Sequence, residues 1–133
     1  MPSQNNSGAQ HQKRFAVTVV AMSAIAVNRF VGYDGLYATG AGGVKDCQGV
    51  SENDADVNGA VSVVTDYSYL VEASAPIAFG DYVKPAIDNT GRAAVGTSRF
   101  HCGRALGVAA AGQLVEVQIL QQNHAGLDPD APG

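Results

Sequence analysis

Strand-like runs recur along this chain at intervals of roughly 8–12 residues, and each ends in a turn signal. That rhythm constrains the fold more than any other feature. FAVTVV (Phe15–Val20) is β-branched, as strands are. AIAVNRFVGYDG (Ala24–Gly35) ends in an Asp34-Gly35 turn, and Asn58-Gly59 is a strong hairpin signal. AVSVVT (Ala60–Thr65) and YSYLVEA (Tyr67–Ala73) read as two further strands. IAFGDYV (Ile77–Val83) carries a Gly80-Asp81 turn, and Asp88–Gly91 closes another. In LVEVQIL (Leu114–Leu120), Val115, Val117 and Ile119 point one way and Glu116 and Gln118 the other, which predicts a half-buried antiparallel strand. Only Arg104–Ala111 has helical composition. Gly107 interrupts it and Gly112 ends it, so a short helix or a turn is expected there. The expected fold is all-β: a small antiparallel barrel or sandwich with many Gly-rich turns, at most one short helix and an extended polar N-terminal arm.

The 133 residues amount to one domain. We divide them into a polar arm (1–14), a β-rich domain (15–121) and a loose C-terminal tail (122–133). The apolar residues are small: 21 Ala and 17 Val against 10 Leu plus Ile, and no Trp. Such side chains favour thin layers over a thick helical core. Charged residues make up only 15%, so the surface suits a chain packed against others. The net charge of −4 argues against nucleic-acid binding, and no apolar run is long enough for a membrane helix. The start of the chain lacks the apolar stretch of a secretory signal.

The arm lacks the apolar surface to order itself in water. We therefore expect it to be an anchor held by a neighbouring chain. Gln4, Asn5, Asn6, Gln10 and Gln12 would pair with exposed backbone, and Lys13 and Arg14 would face an acidic neighbour. A basic island, Gly91–Arg104, holds Arg92, Arg99 and Arg104 without an acid. It is either a docking patch for an acidic surface or three arginines satisfied by the protein's own acids.

Catalytic and metal motifs are sparse. Asp54, Asp56 and Asn58, followed by Gly59, match the opening of a calcium loop, D-x-D-x-N-G. The twelfth position is Thr65 where a bidentate Glu belongs, and the flanks read as strand, so an acidic turn is the favoured reading. Cys47, Cys102, His11, His101 and His124 show no zinc spacing, and nothing in the sequence calls for a Cys47–Cys102 disulfide. Gly40–Gly43 lacks the Lys-Ser or Lys-Thr of a phosphate loop, and Lys45 and Lys84 lack the setting of a lipoyl-type carrier lysine. No G-x-S-x-G elbow is present, and the carboxylates Asp46, Glu52, Asp54 and Asp56 read as a solvated loop. We expect no enzyme, no cofactor and no resident metal.

The order of glycine-punctuated pieces carries a resemblance. VNRFVGYDG (Val27–Gly35) is followed by the Gly49-Val50 step and NGAVSVVT (Asn58–Thr65). LVEASAPIAFGDYV (Leu70–Val83), DNTGRA (Asp88–Ala93) and GRALGVAAAGQLVEVQIL (Gly103–Leu120) complete the series. From Phe15 to Leu120 the chain resembles the tailed-phage capsid decoration, or cement, proteins. The resemblance implies a structural virion protein made in the host bacterial cytoplasm. It would bind the outer surface of the expanded capsid and bridge major capsid protein subunits, as a homotrimer. Such proteins bring no catalytic residues to carry over. A tail-tube or connector subunit is a competing virion reading. A calcium-dependent module using the Asp54–Gly59 loop, for host-surface or glycan contact, is the alternative from another class.

Overall fold

The computed structural model describes residues 13–124, with side chains from residue 15 onward. Within them the protein is all-β, and its antiparallel sheet curls into a nearly closed barrel. The strands are β1 (Lys13–Val20), β2 (Phe30–Gly32), β3 (Cys47–Ser51), β4 (Ala60–Glu72), β5 (Tyr82–Pro85), β6 (Ala93–Val95), β7 (His101–Ala105) and β8 (Leu114–Asn123). They run in the order β2-β3-β4-β8-β7-β5-β6, and β1 pairs with β4.

The two strands expected at Ala60–Thr65 and Tyr67–Ala73 are one strand, β4. Its first half pairs with β1 and β3 and its second half with β8. The partner change falls at Tyr67, which takes a positive φ of 64° that is costly for a bulky side chain. Before this kink Val61 and Val63 face a small cluster with Ala21, Ile25 and Val31. Beyond it Val71 faces the main core, which also holds Phe30, Val50, Val83, Val115 and Val117. One strand thus serves two cores.

Small residues set the strand spacing. A Cβ on Gly49 would lie 2.2 Å from the Val64 carbonyl oxygen, so β3 approaches β4 this closely only without a side chain. Val115 and Val117 point inward as the alternation predicts. The opposite face of β8 departs from expectation. Glu116 is fully buried there, and its Oε2 accepts a 2.7 Å hydrogen bond from the Ser68 hydroxyl on β4. Hydrogen bonding is what makes such burial tolerable.

The segment 104–111 forms no helix. Arg104 and Ala105 end β7, the Leu106 N–H bonds to the Glu116 carbonyl, and Ala109 bridges Ile77. Strand partners on both sides satisfy the backbone, and they outweigh a helix preference worth only tenths of a kcal/mol per residue. The only helical element among the described residues is one 3-10 turn, Gly43–Lys45.

Candidate functional site

Three regions bear chemistry or contact surface, and each is set by the strand order. The first is an ionic network where the chain enters β2. Arg29 donates from Nη1 to the Thr90 carbonyl at 2.8 Å and from Nη2 to Glu72 Oε1 at 3.1 Å. Arg92 lies 3.7 Å from Glu72 Oε2 and 3.6 Å from Asp88 Oδ2. The Thr90 hydroxyl hydrogen-bonds Asp88 at 2.6 Å. That bond foremost, with the Thr90 N–H and the Arg92 charge, outweighs partial burial and holds the Asp88 carboxyl below its ordinary range. Glu72 ends β4, so the network ties the loop before β2 to the β5–β6 turn.

The three arginines of the basic island sit in different settings. Arg92 is engaged by Glu72 and Asp88. Arg104 donates to the Gly80 carbonyl at 2.9 Å and stacks on the Tyr82 ring at 4.5 Å. Arg99 is exposed in the turn between Thr97 and Phe100. Arg92 and Arg104 sit at opposite ends of β5, since Ala86 bonds the Arg92 carbonyl while Tyr82 registers with Arg104. Sequence proximity suggested the island; the network needed Arg29 and Glu72, which are remote in sequence.

The second region is the β3–β4 connection. Asn58 takes a φ of 68°, and the Gly59 N–H bonds the Asp56 carbonyl at 2.8 Å, closing the turn. Asp54 Oδ1 accepts the Val27 N–H at 2.8 Å, so part of that carboxylate serves the backbone. Asp54 and Asp56 line a cavity of about 380 Å³ with Tyr37 and Ile25. Among the described residues no group of three or more His, Cys, Asp or Glu is placed to hold a metal ion. The candidates Gln4, Asn5, Asn6, Gln10 and Gln12 lie outside the described residues; so does His11. Lys13 and Arg14 belong to β1 by backbone.

The third region is exposed apolar surface. Among the described strands β1 is paired on one side only, and Phe15 and Val20 on it are exposed. Met22 and Val57 are also exposed, on chain that bonds back near the end of β1 through Ala21 to Gly59. Elsewhere Pro76, Ile77, Val108 and Ala109 line an apolar groove of about 530 Å³, with Val108 72% exposed and Phe79 in the adjoining turn. Large contiguous apolar patches mark contact surfaces, whereas apolar residues exposed singly are ordinary. The sequence signalled them only through low charge, because strand alternation does not reveal which apolar loop residues stay uncovered.

No family model matches the chain, and no curated protein matches it. A solved structure does: the N base of head fiber gp8.5 of bacteriophage phi29. The TM-score is 0.61 at 20% identity, covering 82% of this chain and 96% of that one. The two proteins share a fold.

Proposed function

We propose that this chain is a structural protein of a phage virion, binding the outside of the expanded capsid and bridging neighbouring major capsid protein subunits as a homotrimer. The observation that carries this reading is the fold shared with a phage head-fibre base over most of both chains. The order of glycine-punctuated segments from Phe15 to Leu120 supports it from an independent direction. Exposed Phe15, Val20, Met22 and Val108 supply adhesive surface, which a cement protein needs more than it needs a pocket. Among the described strands β1 is paired on one side only, which would give a second chain an edge to pair with.

Co-sedimentation with heads tests the reading. The purified chain is expected to pellet with expanded heads and to stay in the supernatant with unexpanded procapsids. Equal binding to both, or to neither, would count against the cement role. Native mass spectrometry reads the oligomer: a species of three 13.6 kDa chains is expected, and a monomer alone, with single copies on the capsid, would remove the trimer.

A further inference from the structure

Cys47 and Cys102 come from distant parts of the chain and meet in one core. Cys47 opens β3 and Cys102 is the second residue of β7; both are buried and both are free thiols. Both side chains belong to the main core cluster, where the Cys47 thiol donates to the Gly49 carbonyl at 3.4 Å. The surrounding backbone is tied on both sides. Gln122 on β8 accepts the Cys47 N–H at Oε1 (3.4 Å) and donates from Nε2 to the His101 carbonyl (3.2 Å). Two residues on, just past the end of β8, His124 contacts Asp46 at 2.6 Å and packs edge-on against Phe100. The end of β8 and the residue after it therefore tie the starts of β3 and β7 together, with a cysteine on each strand.

We propose that Cys47 and Cys102 are a dithiol site for low-molecular-weight disulfides, which close it into an intramolecular disulfide joining β3 to β7. The Cys47 thiolate attacks one sulfur of the small disulfide RSSR. A Cys47–S–SR bond forms, RS⁻ leaves, and it takes the proton that Cys47 lost. The Cys102 thiolate then attacks the Cys47 sulfur, forms the protein disulfide and expels the second RS⁻, which takes the Cys102 proton. The two thiols lose two electrons, and RSSR is reduced to two RSH.

The order of attack follows from position. Cys102 is fully enclosed, and burial foremost, then the Cys47 thiol and the Asp46 charge, pushes its thiol well up. Cys47 is slightly exposed and follows the 3-10 turn, at or before which Gly40, Gly42 and Gly43 all take positive φ. The start of β3 is thus the accessible end. In reducing cytoplasm the pair stays open, and in oxidising surroundings it closes. A virion protein meets both in turn, but the test does not depend on that role.

The purified wild-type chain is incubated with oxidised glutathione and compared with a dithiothreitol-treated sample. The intact mass is expected to fall by two hydrogens, and peptide mapping to find Cys47 joined to Cys102. The oxidised form is expected to melt on the order of 10 °C higher, because the link closes a long loop in the unfolded chain. During the reaction a one-glutathione adduct mapping to Cys47 should precede ring closure. Cys102→Ser should hold the chain at that adduct, and Cys47→Ser should block it. The wild-type time course reads the same order should either variant fail to fold. Persisting free thiols, a disulfide between two molecules, a first adduct on Cys102 or a lower melting temperature would each overturn the proposal.

Discussion

Two connections of this protein are built to the same plan and finished differently. In one, Ile25 bridges Ala55, packs in the small cluster and lines a cavity with Asp54, Asp56 and Tyr37. In the other, Ile77 bridges Ala109, packs in the main core and lines a groove of Pro76, Val108 and Ala109. Both isoleucines are 2% exposed. Burial alone therefore does not separate them; the depth of the core behind each does. The small cluster is a veneer held over β1 and the first half of β4. The main core fills the barrel from all sides.

That difference is tested most directly by the matched substitutions Ile77→Ala and Ile25→Ala. Removing a buried isoleucine costs about 2–5 kcal/mol, with the higher values where neighbours cannot collapse into the space. Ile77→Ala is expected near the top of that range and Ile25→Ala near the bottom, measured by urea unfolding. Hydrogen exchange should also show the Ile25–Ala55 bridge opening before the β7–β8 ladder. Equal losses would mean that the two clusters form one cooperative core.

Glu72 joins the two halves, since it ends the strand they share and holds Arg29 and Arg92 at once. Glu72→Ala leaves the partly buried Arg29 without its carboxylate, at a cost of about 1–2 kcal/mol after allowing for partial solvent screening. Glu72→Gln keeps an acceptor and should recover part of the loss. If both substitutions leave urea unfolding unchanged, the network is decorative and packing alone joins the halves.

Much of this arrangement was legible in the sequence, and the parts that were not share a cause. Val115 and Val117 announced themselves by alternation because their neighbours in sequence face the other way. The kink at Tyr67 gave no local sign; its positive φ is imposed where β4 leaves β1 and β3 for β8. Glu116 looked like a solvent-facing residue because its partner, Ser68, lies on another strand. The same holds for Arg29 with Glu72. Periodicity reports which face of a strand a residue takes. It does not report what covers that face.

The smallest expected effect again contrasts the two halves, through their acids. Asp34, in the turn after β2, is raised by burial. The Lys45 hydrogen bond, the Leu36 N–H and the Lys45 charge outweigh that, and the carboxyl ends below its ordinary range. Asp88, after β5, is lowered chiefly by Thr90. A carboxyl depressed in the folded state contributes stability that is fully present above its unfolded value, about 3.9. That stability is lost as pH falls through the lower folded value, because the unfolded chain then binds the proton more readily. Both acids should therefore steepen the loss of stability below about pH 4. The Asp34 side chain is 17% exposed and that of Asp88 49%, so water screens Asp88 more. Asp34→Asn should flatten the acid limb of a stability–pH curve more than Asp88→Asn does, each by under about 1 kcal/mol. Thr90→Val should reproduce most of the Asp88→Asn effect, since the hydroxyl is the leading cause of that shift. A larger flattening from Asp88→Asn would mean that the Arg29–Glu72–Arg92 network reaches further into the main core than its exposure implies.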